Sequence, residues 1–217
     1  MQFRDREQAG RDLAAWFLAW ADTAELAEPL VLALPRGGVP VGAAVARALR
    51  APLDVQVARK IGAPGRPEAG IGAVAGEDPP VFDRVALSYL DLSEEQLADD
   101  VARERTELHR RERLYREGRP APEVRGRAVL LTDDGLATGI TALAALRHLR
   151  GQDPGRLILA VPVGSPDTAR ALRGEADDVV CLHSPERFHA VGQWYEHFDQ
   201  VSDEEVMDTL RSFHAHA

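Results

Sequence analysis

Apolar residues recur along this chain in two rhythms. Short continuous runs occur at Pro29–Leu34, Leu53–Ala58, 127–132, Leu157–Val163 and Val179–Leu182. Runs of this length, bounded by Gly, Pro or Asp, fit strands buried on both faces. Ile71–Ala75 and Val81–Leu87 are further short strand candidates. Between them a period near 3.6 predicts helices. Residues 5–20 place Leu13, Trp16, Phe17 and Trp20 on one face, and Val39–Leu49 is an Ala-rich helix able to pack close to a sheet. Leu92–Glu117 is a long charged helix capped by Ser93, with Glu94 and Glu95 in its first turn. Helices follow at 140–150 and 166–174, and at 203–213, capped by Ser202 or Asp203. Residues 62–70 (Gly-Ala-Pro-Gly-Arg-Pro-Glu-Ala-Gly) are loop by composition. Alternating strand and helix predicts an α/β fold: a mostly parallel twisted sheet with helices on both faces.

A length of 217 residues suits one such domain, 1–217, or at most two small ones. Hydrophobic content of 45% and charged content of 28% are ordinary for a soluble globular chain. The net charge of −9 argues against a general nucleic-acid binder, which needs a basic face. No apolar stretch approaches the roughly 20 residues of a membrane span. The segment Met1–Arg6 is charged and lacks an apolar signal core. The sole cysteine, Cys181, permits no internal disulfide and fits a reducing cytoplasm; its apolar neighbours make it a core residue rather than a nucleophile. Lys60 is the only lysine among 26 basic residues. Genome composition accounts for the bias, yet lysine offers a compact charge that arginine does not reproduce.

The most informative string is Val129-Leu-Leu-Thr-Asp-Asp-Gly-Leu-Ala-Thr-Gly-Ile-Thr141. Its apolar run ends at Asp133 and Asp134, which places two carboxylates at a strand's carboxyl end, where open α/β sheets bind ligands. Gly135 and Gly139 allow a tight turn around Leu136, Ala137 and Thr138. Ile140 and Thr141 open the next helix, whose free N–H groups form an anion site. Carboxylates accept hydrogen bonds from vicinal hydroxyls, so acids followed by a phosphate cradle imply a ribose 5-phosphate. The plainer alternative is a strand-to-helix turn with Asp as cap. Leu34-Pro-Arg-Gly-Gly-Val-Pro40 repeats the layout, with Arg36, Gly37 and Gly38 able to hold a second anion. Arg59 and Lys60 end the second strand before the 62–70 loop.

The thirteen-residue string resembles the phosphoribosyl-diphosphate (PRPP) signature of type I phosphoribosyltransferases. The resemblance covers about residues 30–182. It implies that Asp133 and Asp134 hold the ribose hydroxyls and that 137–141 cradle the 5-phosphate. It implies further that Arg36, Gly37, Gly38, Arg59 and Lys60 hold pyrophosphate, with Arg36, Arg59 and Lys60 as the catalytic cations. Mg²⁺ would be carried by PRPP's own oxygens and water. In this family the Pro-Arg-Gly-Gly loop often holds a cis peptide, here Pro35–Arg36 or the bond before it. A mobile loop would close over pyrophosphate. Hypoxanthine–guanine enzymes carry a third acid where this chain has Ala137, so the likeness is to adenine-type and unassigned branches.

A variable hood covers the acceptor in such enzymes. Phe188, Trp194, Tyr195 and Phe198, with His189 and His197, make 184–200 the hood candidate; a small satellite core is the plainer reading. The 92–117 helix is a helical insertion. Its stripe of Leu97, Val101, Leu108 and Tyr115 is flanked by Arg105, His109, Arg113 and Arg116, a solvated face or else a basic wall near the site or a subunit contact. The leading expectation is an enzyme transferring phosphoribose from PRPP to a small-molecule nitrogen acceptor, with no nucleic-acid or membrane partner and as a homodimer, the family's common state. The alternatives are a PRPP-sensing regulator on the same fold, or a metal-dependent phosphohydrolase using Asp133 and Asp134.

Overall fold

The computed structural model describes residues 2–20 and 26–214. The organising layer is a five-stranded, wholly parallel sheet. Its strands are β1 (Leu30–Ala33), β2 (Leu53–Val55), β6 (Ala128–Thr132), β7 (Arg156–Val163) and β8 (Asp178–His183), in the order β2-β1-β6-β7-β8. A second, antiparallel sheet contains β3 (Ala58–Ala63), β4 (Arg66–Ala75) and β5 (Val81–Phe82).

Alternate residues of the parallel strands supply two cores, as the period of two requires. Val31, Ala33, Leu130, Ile158 and Ala160 face one side; Leu30, Leu32, Val129, Leu131, Leu157 and Leu159 face the other. Over the first face lie α1 (Arg6–Trp20), α2 (Gly38–Leu49), α4 (Ala98–Arg116) and α7 (Asp203–His214). Over the second lies α5 (Ile140–Arg150), with the short α6 (Pro166–Ala171) beside it. The predicted α/β architecture is the one observed.

Helix α1 starts where Asp5 accepts from the N–H of Gln8 at 2.7 Å. It buries Ala9, Gly10, Leu13, Ala14 and Phe17. Trp16, expected on that face, lies at the surface and stacks on Trp20 instead. At Gly10 a Cβ would sit 2.7 Å from the carbonyl oxygen of Val41, so glycine permits the close approach of α1 to α2.

Several expected boundaries change. The strand expected at Leu53–Ala58 divides: β2 stops at Val55, and β3 starts at Ala58 in the other sheet. The expected 62–70 loop is the β3–β4 hairpin, turning at Pro64–Gly65 with Gly65 at φ +73°. Arg59 and Lys60 are therefore inside a strand rather than at its end. The expected Val81–Leu87 strand is cut by Asp83, which accepts from Val85 and Ala86 N–H groups and starts α3 (Arg84–Leu90). The long charged helix begins at Ala98, after a 3₁₀ turn at Glu95–Leu97 that Ser93 caps through the Gln96 N–H. The helix expected at 166–174 is α6 followed by a 3₁₀ turn at Leu172–Gly174.

The stripe of α4 packs as expected, with Leu97, Leu108 and Tyr115 buried and Val101 against them. Its basic flank is consumed within the chain. Arg105 donates to the carbonyls of Gly76 and Asp78, His109 meets Glu77 and Glu112, and Arg116 donates to Val55 O. These contacts clamp the antiparallel sheet and β2; they do not form an open basic wall.

Leu130 is fully buried in the central strand. Leu130→Ala should cost about 2–5 kcal/mol of stability, read as a lower urea midpoint at unchanged slope.

Candidate active site

The pairing of β1 with β6 builds the site. Ala33 lies beside Thr132 in register, and the Leu34 N–H donates to Thr132 O at 2.8 Å. The loops that follow, Pro35–Gly37 and Asp133–Gly139, therefore leave the sheet side by side at its carboxyl edge. From here β1 leads through α2 to β2, while β6 leads through α5 to β7 on the other side. This is the switch point of the sheet, where a crevice opens between diverging loops.

The two loops touch. A Cβ on Gly37 would lie 2.0 Å from Oδ2 of Asp134, and one on Gly38 would lie 2.6 Å from Thr132 O. Side chains are excluded at both positions, which is why the pattern requires Gly-Gly there. The Pro35–Arg36 peptide is cis, one of the two bonds expected to be so. Arg36 is held from behind: its Nη1 lies 3.6 Å from Oδ1 of Asp203, and the same oxygen accepts from the Tyr115 hydroxyl at 2.6 Å. Burial and this hydrogen bond raise the Tyr115 phenol, so it stays a donor.

Asp133 and Asp134 stand together at the end of β6. The Asp134 N–H donates to Oδ1 of Asp133 at 2.8 Å. Burial, compounded by the neighbouring Asp134 charge, pushes the Asp133 carboxyl well up. Burial also raises Asp134, opposed by the Arg6 guanidinium, whose Nε donates to Oδ2 at 2.8 Å. Arg6 is a site residue that sequence reasoning did not select. It lies 128 positions from its partner, in a segment read only as a charged N-terminus and the start of an amphipathic helix.

The segment expected to cradle a phosphate is also fixed. Leu136 bridges to Gly164, accepting from the Ser165 N–H and donating to Val163 O. Thr168 Oγ1 donates to Ala137 O at 2.7 Å. Gly139 has φ +72° and caps α5, with a Cβ there meeting Thr168 at 2.5 Å. Ala137 and Thr138 are exposed, and the first-turn N–H groups of α5 behind Ile140 and Thr141 have no acceptor within the helix.

The hood candidate reaches this motif. The Tyr195 hydroxyl donates to Asp134 O at 2.6 Å, and Val191 packs against Gly135. Phe188, Val191 and Trp194 join Phe3, Val163 and Tyr195 in a small core, so 184–200 is both the satellite core and a neighbour of the acids. His189 and His197 are exposed. Cys181 is half-buried with its thiol pushed up by burial, the inert character expected of it.

Arg59 and Lys60 stand to one side of the crevice, on the hairpin. Arg59 donates to Glu104 of α4 at 2.8 and 3.0 Å. Lys60 pairs across the ladder with Ala73, which packs with Ile140 at the head of α5. Both cations line a groove of about 380 Å³ with Pro64, Asp100 and Glu104.

The phosphoribosyl transferase domain model matches residues 2–197. The chain belongs to that family. A Mycobacterium tuberculosis protein named "Putative phosphoribosyl transferase" is 43% identical over 98% of this chain; the chain spans about half (47%) of that relative's length. The crystal structure of TT1426 from Thermus thermophilus is 42% identical, with TM-score 0.79 over 98% of this chain and 99% of that one. The AQ2163 protein of Aquifex aeolicus shares the fold, at 12% identity and TM-score 0.52 over 94% of this chain and 84% of that one. No helix among the described residues is long and apolar enough to cross a membrane.

Because the folded state holds the Asp133 proton more tightly than the unfolded chain does, stability falls as pH rises above the ordinary carboxylate value of 3.8. Asp133→Asn removes that loss. The variant should melt higher than wild type near pH 8 and alike near pH 4 in paired thermal scans.

Proposed function

We propose that the chain transfers the 5-phosphoribosyl group of PRPP to a nitrogen nucleophile of a small-molecule acceptor, releasing pyrophosphate. The observation that carries this reading is the crevice in which a half-buried carboxylate pair, a Gly-Gly loop and a helix start meet. Asp133 and Asp134 would accept hydrogen bonds from the ribose hydroxyls. The N–H groups of 137–141 would take the 5-phosphate, and Arg36, Gly37 and Gly38 the pyrophosphate. Arg59 and Lys60 would supply charge to the leaving group from the hairpin. The C1–O bond breaks with its electron pair going to pyrophosphate, and C1–N forms as the nucleophile's proton passes to solvent. Cations fixed beside the departing group favour the transition state over the ground state. Tyr195 is committed to Asp134, and Phe188 and Trp194, which pack against the small core beside it, would be the hood residues left to meet an acceptor.

Mg²⁺ fits this site as a passenger of the substrate. Among the described residues no group of three or more His, Cys, Asp or Glu side chains could hold a metal ion, so diphosphate oxygens and water would supply its ligands. The ion would screen the charge of the diphosphate. The same donor set gives a metal-dependent phosphohydrolase little to work with. A chain of this kind would act as one domain in the cytoplasm, as a dimer.

Calorimetric titration with Mg²⁺ and PRPP should show binding to wild type and none to Asp133→Asn/Asp134→Asn. Equal binding by that double variant would overturn the site. With a nucleobase and amine panel, wild type should release pyrophosphate; binding without release on any acceptor would identify a sensor instead. Lys60→Ala should slow release at least about tenfold, and an unchanged rate would remove Lys60 from the catalytic set.

A further inference from the structure

Arg6 opens α1 and ends against the carboxylate pair. Its Nε donates to Oδ2 of Asp134, and the two side chains are only 11% and 14% exposed. Its Nη1 donates to the carbonyl of Asp199 at 2.7 Å, and its guanidinium lies 3.8 Å from the centre of the Phe198 ring. Three contacts on three sides immobilise a side chain that otherwise has many rotamers. They join the first helix, the hood segment and the Asp-Asp-Gly loop at one point.

The position of Asp134 needs such a partner. It is desolvated and beside a second carboxylate, both of which favour losing the charge or swinging away. Oδ2 faces Arg6 on one side and the backbone of Gly37 on the other. The charged or titratable groups facing Asp134 are Arg6 from α1, Asp133 from its own loop and the Tyr195 phenol from the hood. Of these three, Arg6 alone is a cation. A charge-assisted bond to a planar, fixed guanidinium also sets the plane of the carboxylate, which a lysine would not reproduce.

We propose that Arg6 is a positioning residue for the sugar: it locks Asp134 in the orientation that presents the carboxylate pair to a vicinal diol. The inference rests on the PRPP reading above. It predicts an effect confined to ligands that carry ribose, because Arg6 is bonded to Asp134 and the Asp199 carbonyl, whereas Arg36 and Arg59 are paired with Asp203 and Glu104.

The test is titration of the full chain with three probes: Mg²⁺-PRPP, ribose 5-phosphate and Mg²⁺-pyrophosphate. Arg6→Gln should weaken PRPP and ribose 5-phosphate at least about tenfold and leave pyrophosphate within about twofold. Arg6→Lys, which keeps the charge, should recover part of the loss and serves if Arg6→Gln fails to fold by circular dichroism. Tyr195→Phe, which keeps the ion pair, should change ribose binding less than either. Unchanged or tighter ribose binding by the Arg6 variants overturns the proposal, as does an equal loss for pyrophosphate. If wild type binds neither PRPP nor ribose 5-phosphate, the donor reading fails and the positioning role falls with it. Wild-type binding with insensitive Arg6 variants sinks the positioning role alone.

Discussion

The structure depends on the register of two parallel strands. Ala33 beside Thr132 brings the ends of β1 and β6 level, so their loops leave the sheet in contact. A slip of one residue would turn Leu130 and Leu131 to the wrong faces and separate Gly37 from Asp134. Core packing therefore sets the geometry of the crevice. The apolar alternation that divides Leu32 from Ala33, and Leu131 from Thr132, admits one alignment, and the Gly-Gly and Asp-Asp segments inherit it. Small residues finish the arrangement: Gly37 and Gly38 admit the loops to one another, and Gly10 lets α1 come close enough for Arg6 to reach across.

Around this crevice the charges are paired in advance. Arg36 faces Asp203, Arg59 is bonded to Glu104, and Arg6 to Asp134. On the proposed reading, an acidic chain that receives a polyanion would keep its cations oriented by acids until the ligand arrives. Orientation lowers the reorganisation needed when charge develops on a leaving group, yet each acid also competes with the ligand. The balance differs by burial. Arg6 and Asp134 are nearly enclosed, where breaking a pair is costly, whereas Arg36 and Asp203 are a quarter to a third exposed and 3.6 Å apart, a loose contact that an anion can replace.

The parts of this site legible in the sequence are those that local chemistry writes. The apolar run into Asp133 and Asp134, and the Gly-x-x-x-Gly turn into α5, follow from periodicity and turn residues alone. The Pro35–Arg36 bond came from resemblance. What stayed hidden lies between distant segments. Nothing near Arg6 indicates Asp134, and nothing near Asp203 indicates Arg36. The hairpin was hidden for another reason. Gly62, Pro64, Gly65 and Gly70 read as loop, but Gly70 and Gly72 are ladder positions where the Lys60 stem and the Phe82 ring lie over the strand. Asp83 cuts an apolar run that reads as one strand, because its carboxylate accepts from the Val85 and Ala86 N–H groups and starts a helix there.

The same placement explains why stability and recognition pull in opposite directions at Asp133. A carboxyl buried beside another carboxyl holds its proton more tightly than the unfolded chain does, so raising the pH above the ordinary carboxylate range costs the fold stability. No packing argument keeps two acids there; asparagine has nearly the same shape and would still accept the Asp134 N–H. Residues that burden the fold without improving its packing persist where a ligand needs them. Arg6 then reads as the partial remedy. Among the described groups facing Asp134 it is the one cation, and it donates to Oδ2 of that carboxylate. The fold compensates one member of the pair through Arg6; on the proposed reading, the other would be met by a ligand's hydroxyls.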